Sequence, residues 1–188
     1  MFADKLGCKL EEASPWKDDY FAHFFTIVLT ETDLKGMRAL VAKYGDRMQP
    51  HLVDAIKGTM TDEQITDAVV ARKKLANQSW RFFRGYDLLL TPTIACVPFG
   101  HGIQGPEQIE GRKTASPFQW IAFTYQFNMT GQPAATVPAG FTSDGLPIGL
   151  QIVGRHLDDA TVLRAAAAYE AAAPWKDKWP PLLTQMGL

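Results

Sequence analysis

A chain of 188 residues with 46% apolar residues and a formal net charge of −1 is long enough to bury one substantial core, and its length does not call for a second domain. Its 19 Lys and Arg residues are scattered and form no stripe able to neutralise a run of phosphates, which argues against nucleic acid as a partner. Apolar runs break well short of the roughly 18 residues a membrane span needs. The opening MFADKLGCKLEEA lacks a cationic-then-apolar leader layout, and Cys8 and Cys96 have no C-x-x-C spacing, so a cytoplasmic chain with no membrane partner and unbridged thiols is expected.

Taken in chain order, Ser14-Pro15 reads as an N-cap followed by proline at the first helical position and predicts a helix through Phe25. A second amphipathic segment begins near Thr32, with Leu34, Met37, Leu40 and Val41 at helical spacing, and stops at Gly45, expected to be a left-handed terminator. A third, over 51–57, stops in the same way at Gly58. The fourth has the strongest start signal: Thr61-Asp62-Glu63-Gln64 has capping-box spacing, and Ile65, Ala68, Val69, Arg72, Ala76, Trp80 and Phe83 mark one broad face. Gly85 is expected to end it. The run YDLLLT at 86–91 then predicts a strand buried on both faces, and helix followed by buried strand points to an α/β fold.

Residues 92–117 are rich in Gly and Pro, show no period and are assigned to a surface loop of the length that is functional or mobile. The aromatic-dense segment 118–127 predicts a short helix leading into FNMTGQPAATVPAGFTSDGLPIGLQIVG at 127–154. There, apolar runs at 134–137 and 148–153 flank Ser143-Asp144-Gly145, which predicts a β-hairpin. Pro138, Gly140, Pro147 and Gly149 imply short or bulged strands. Asp158 or Asp159 caps an Ala-rich helix over 160–172, closed by Pro174. The expected organisation is one domain over 1–188: mainly helical over 1–85, sheet-forming over 86–175, and an extended tail over 176–188 that includes Trp179 and Pro180-Pro181.

No complete active site is legible from residue chemistry. The stretch from Gly100 to Gly105 matches G-x-G-x-x-G, but it lies away from the strand at Thr91 and Pro106 follows it, against the strand–turn–helix context a dinucleotide site needs. Ser14, Ser79, Ser116 and Ser143 lack a nucleophile elbow. His23, His51, His101 and His156 are too dispersed for a helical metal site, and Asp18-Asp19 and Asp158-Asp159 fit helix starts. No catalytic residue, metal or cofactor is assigned.

YDLLLTPT at 86–93, FNMTGQPAATVPAGF at 127–141, GLPIGLQIVG at 145–154, and Asp158-Asp159 with the Ala-rich helix after it occur in an order and spacing that resemble the C-terminal portion of an amidase signature enzyme. The resemblance spans about 86–175. It implies an α/β fold in which helices flank a large mixed sheet, and amide hydrolysis by a Ser, cis-Ser, Lys triad. In such enzymes the serines lie in a Gly/Ser-rich signature upstream of these segments and the lysine lies further upstream; this sequence has no such stretch, so no catalytic residue is carried over. The chain alone is expected to be inactive, to represent the C-terminal part of a hydrolase, and to meet a small amide substrate only together with a catalytic half.

The resemblance also places Thr93 with the loop after it, and Phe127, Asn128 and Thr130 beside Met129, at the rim of a substrate pocket. Residue chemistry alone leaves Asn128 and Thr130 equally well explained as turn-shaping groups. Partial sheets leave open edges and bare apolar surface, so self-association or pairing with an N-terminal amidase half is expected. Two alternatives stand beside this: a non-catalytic subunit that completes an amidase in trans, and a small independent enzyme using the 92–117 loop.

Overall fold

The computed structural model describes residues 1–179 together with Leu183 and Met186; the expectation for Pro180-Pro181 lies outside the described residues. Four helices come first: α1 (Phe21–Thr30), α2 (Leu34–Tyr44), α3 (Pro50–Lys57) and α4 (Asp62–Phe82). The strand β1 (Leu89–Pro92) follows, then a short ladder of β2 (Gln108–Ile109) and β3 (Arg112–Lys113), the helix α5 (Tyr125–Thr130), the hairpin β4 (Ala134–Phe141) and β5 (Pro147–Val153), and α6 (Asp159–Ala172). Among the described residues no helix is long and apolar enough to cross a membrane.

Local signals set most of these bounds. Thr61 and Gln64 form the reciprocal capping box at the start of α4, Asp33 caps α2 through the Gly36 amide, and Asp158 caps α6 through the Thr161 amide. Gly145 takes φ 82° in the hairpin turn, and the register slips between Pro138 and Gly140, a bulge where proline cannot donate to the ladder.

Several elements differ from expectation. The helix predicted from Ser14-Pro15 begins only at Phe21: the Ser14 hydroxyl donates to the Trp16 carbonyl at 2.7 Å, and Asp19 accepts from the Phe21 amide at 2.9 Å, a turn that competes with helix before it starts. Tyr20 is buried there, its hydroxyl donating to Gln78 at 2.8 Å, so tertiary packing sets the entry to α1. Gly45 is right-handed (φ −60°, ψ −28°) and continues into a 3-10 turn, and Gly58 is extended (φ −58°, ψ 160°); neither is the left-handed terminator expected. That role falls to Gly131, at φ 71° after α5. The loop assigned to 92–117 contains the β2–β3 ladder. Over 175–178 the chain makes a turn: the Lys178 amide donates to the Trp175 carbonyl at 2.9 Å, with the Trp175 ring 6.3 Å from Tyr169.

The buried face of α4 is also rotated from the predicted one. Ala68, Ala71, Leu75 and Ser79 are buried, while Val69 and Trp80 stand exposed. The row of small side chains lets α4 approach α1 and α5 closely, forming one core with Tyr20, Ile27, Tyr125 and Met129.

The sheet has strand order β1-β5-β4 and is antiparallel throughout. The large mixed sheet implied by the resemblance is represented here by these three strands. β1 is an edge strand whose burial falls from Leu89 to exposed Pro92, not a strand covered on both faces. One sheet face, with Leu90, Ile152, Ala135 and Val137, packs on Phe2 and on Val162 and Tyr169 of α6. On the other face, Leu89 and Val153 pack on Phe83 and Phe127 at one end, and the rest of that face borders an open cavity.

Candidate functional site

The cavity measures about 1000 Å³ and lies between the sheet and the chain segment that follows β1. The sheet contributes Thr136 and Gly149 to its lining, and Thr136 ends a polar row whose other members, Thr91 and Gln151, lie outside the cavity. Thr91 pairs with Gln151, and Gln151 with Thr136, in register, so three polar side chains form a row on one face. Gln151 is buried, and its amide nitrogen donates to Thr91 Oγ1 at 2.9 Å and to the Phe123 carbonyl at 2.7 Å. These bonds tie the centre of the sheet to the segment before α5.

Thr93 continues the ladder one residue past β1, its amide donating to the Gly149 carbonyl at 3.0 Å and its hydroxyl to Thr136 Oγ1 at 3.3 Å. The approach requires glycine at 149, where a Cβ would lie 2.6 Å from Thr93 Oγ1 and 3.0 Å from Thr136 Cγ2. Beyond Thr93 the Ala95 amide donates to the Trp120 carbonyl at 2.9 Å, and the Trp120 indole donates to the Gln104 carbonyl at 2.8 Å. The loop is therefore pinned as a wall. Ile94, Val97, Phe99, Ile109, Phe123 and Ile148 make the lining predominantly apolar. Cys96 also lines it, and burial pushes its thiol pKa upward, which favours the neutral thiol over a thiolate nucleophile.

Of the residues singled out in the sequence, Thr93 lies in this cavity. Phe127 is buried in the core, edge-on to Trp16 at 5.7 Å, and Asn128 is exposed on α5. Thr130 lines a separate cavity and contacts Gln132. The structure does not bring these four together. Thr136, Gly149 and Phe123 also line the Thr93 cavity, and the sequence motifs do not single them out as site residues. Of these, Thr136 alone has a signal in the sequence, a polar residue within an otherwise apolar strand run.

Among the described residues no serine hydroxyl is hydrogen-bonded to a His or Lys base. Ser116 accepts from the Phe118 amide at 3.2 Å, Ser143 donates to Asp144, Ser14 donates to the Trp16 carbonyl, and Ser79 is buried in α4 without a partner among the described residues. Lys74 pairs with Asp18 at 2.7 Å. Among the described residues no group of His, Cys, Asp and Glu is placed to hold a metal ion. Near the start of α5, the buried Tyr125 hydroxyl donates to Asp19 at 2.9 Å and accepts from the Tyr20 amide at 3.3 Å. Burial first, and then the Asp19 carboxylate, hold its pKa well above the ordinary tyrosine value. The cavity can thus receive an apolar group beside two threonine hydroxyls, with no nucleophile–base pair on its walls.

Comparison with known proteins supplies the context. The family model described as Amidase matches residues 7–163. An acylamidase from Rhodococcus erythropolis is 42% identical over 182 residues, covering 94% of this chain and 38% of its own length. A 6-aminohexanoate-cyclic-dimer hydrolase from Paenarthrobacter ureafaciens is 40% identical over 105 residues, covering 53% of this chain and 21% of its own length. Among solved structures, a bacterial aryl acylamidase of the amidase signature family superposes with TM-score 0.72 at 31% identity, covering 83% of this chain and 34% of its own. A 6-aminohexanoate cyclic dimer hydrolase superposes with TM-score 0.76 at 27% identity, covering 95% and 40%. The chain spans less than half the length of each of these proteins, and with the family model matched from the N-terminal segment into α6, it belongs to the amidase signature family.

Proposed function

We propose that this chain is the C-terminal part of a hydrolase acting on carbon–nitrogen bonds of amides, in which a Ser, cis-Ser, Lys triad is supplied from outside these residues. The observation that carries this reading is the pairing of a family match along most of the chain with a large apolar cavity whose surroundings contain no serine beside a base. In the assembled enzyme the cavity would hold the apolar portion of the amide, with Thr93 and Thr136 at its polar edge. The acylamidase and aryl acylamidase relatives support an apolar acyl or aryl amide as the substrate class. Lacking the nucleophile, a serine hydrolase loses about a million-fold in turnover, so the chain alone is inactive. A cytoplasmic location belongs to the same proposal, supported by two unbridged cysteines.

The same reading makes the catalytic half the partner. β1 and β4 are the edge strands of the sheet, and Val70, Leu157 and Leu163 are exposed, surface of the kind that pairs with another chain. Without the catalytic half the chain self-associates; the alternative reading is a non-catalytic subunit that completes an amidase in trans with a separate catalytic half. Mixing the purified chain with a polypeptide bearing the Gly/Ser-rich amidase signature should give a complex by light scattering and restore amide hydrolysis. A chain that stays monomeric at high concentration and binds no such polypeptide contradicts the proposal.

A further inference from the structure

A second cavity of about 620 Å³ lies where the end of α4 meets the turn after α5 and the residues that follow β5. Its size falls within the ~300–1,000 Å³ range of small-molecule sites. One side is apolar, formed by Ala76, Trp80 and Phe83; Arg84, Arg155 and His156 bring positive or titratable nitrogen to the rim, and no Asp or Glu lines it. This charge pattern has no counterpart at the apolar cavity beside Thr93, where the charged lining residue is Glu110.

Each polar group is held so that part of it remains free. The Arg155 Nε donates to the Phe83 carbonyl at 2.9 Å and one terminal nitrogen pairs with exposed Asp87 at 3.0 Å, leaving the other terminal nitrogen without a bond among the described residues. Arg84 lies over the Trp80 ring at 5.2 Å from its centroid and makes no ion pair among the described residues. His156 Nδ1 bonds the Gly131 carbonyl at 2.9 Å; because a carbonyl only accepts, Nδ1 carries the proton and Nε2 is the free nitrogen. Gln132 is only 9% exposed. Its Oε1 is taken by Thr130, and its Nε2 has no acceptor among the described residues and is accessible rather than sealed in, so it can donate to a group bound in the cavity. Trp80, by contrast, is 61% exposed, an aromatic face in need of cover beside a cationic one.

We infer that this cavity binds a small carboxylate with an apolar body. The carboxylate sits against Arg84 and Arg155 within reach of the Gln132 amide, and the apolar body lies on Trp80 and Phe83. Arginine suits this task because its planar fork both stacks on an aromatic ring and donates to carboxylate oxygens. The assignment does not rest on the amidase proposal, since it concerns binding and needs no nucleophile. It acquires a consequence if that proposal holds, because amide hydrolysis releases a carboxylate, and an acid product would then have a second place to bind.

The test is calorimetric titration of the purified chain with phenylacetate, with acetate and 2-phenylethanol as the probes that lack the apolar body and the charge respectively. Phenylacetate should bind saturably at one site per chain, weaken as salt is raised, and exceed both controls by about tenfold or more, the scale of a hydrogen-bonded charge. Arg84→Ala, at a position exposed enough to leave the fold intact, should weaken phenylacetate by about tenfold. Gln132→Leu should weaken it as well, and Trp80→Leu should reduce the advantage of phenylacetate over acetate. Absence of saturable binding, equal binding of 2-phenylethanol, or full affinity in a folded Arg84→Ala chain would overturn the assignment. Ammonia release plays no part in these readouts, so failure here and failure of the amidase proposal are separable.

Discussion

Gly149 and Thr93 face each other across β5 and the continuation of β1 with no room for a side chain between them. A valine at 149 would drive carbon into Thr93 Oγ1, 2.6 Å from the built Cβ, and into Thr136, so Gly149→Val should destabilise the chain by about 1–3 kcal/mol through overpacking. Urea unfolding measures it, and a midpoint unchanged from the parent would mean that the loop after β1 is not held as described. Tyr125 gives a second expectation at this scale. Its folded pKa is raised by burial and by Asp19, so below about pH 10, the ordinary tyrosine value, the residue is protonated in both states and its contribution is complete. Above that pH the unfolded chain releases the proton while the folded chain retains it, and stability falls as pH rises. Tyr20 and Tyr86 are raised in the same direction, Tyr20 chiefly by burial and Tyr86 chiefly by its bond to Glu11, and add to the slope. Tyr125→Phe should flatten the decline in denaturation midpoint between pH 9 and 11; an identical slope in the variant would contradict the burial of this hydroxyl.

At the scale of elements, α4 carries the helical core, and its start depends on the Thr61–Gln64 capping box. Thr61→Ala should cost about 1 kcal/mol, or about 2–4 °C in Tm for a chain of this size, while Gln64→Ala should show a smaller loss of the same sign. Equal Tm values in the parent and Thr61→Ala would show that the cap adds nothing. The capping box, the hairpin over 134–153 and the Asp158 cap of α6 were legible in the sequence because each is specified by residues within a few positions of one another. The start of α1 was not, because burial of Tyr20 against Gln78 and the Asp19 turn outcompete the Ser14-Pro15 signal. The orientation of α4 was misjudged for a related reason. Counting apolar residues favours Val69 and Trp80, whereas close helix packing selects the small row of Ala68, Ala71 and Ser79.

For the whole molecule, the family could be inferred from the order of its local motifs, but the cavity could not. Thr93 was legible as a site residue through its place after the YDLLLTPT run. Its neighbours Thr136, Gly149 and Phe123 reach it only through the antiparallel register of β1, β5 and β4 and the Gln151 bonds, which are contacts between segments far apart in the chain. Thr130 and Phe127 show the converse: near the motif in sequence, they point to other parts of the fold. The two cavities differ in chemistry, one apolar beside hydroxyls and the other apolar beside arginines, and the account gives them different occupants.

The central proposal is that these residues hold an amide but do not cleave it. It is tested most directly by ammonia release from simple aliphatic and aromatic amides incubated with the purified 188-residue chain. The account predicts release at the level of buffer, rising only when a polypeptide bearing the Gly/Ser-rich signature is added. Ammonia release by the chain alone that persists through repeated purification would place a working nucleophile within these residues and contradict it.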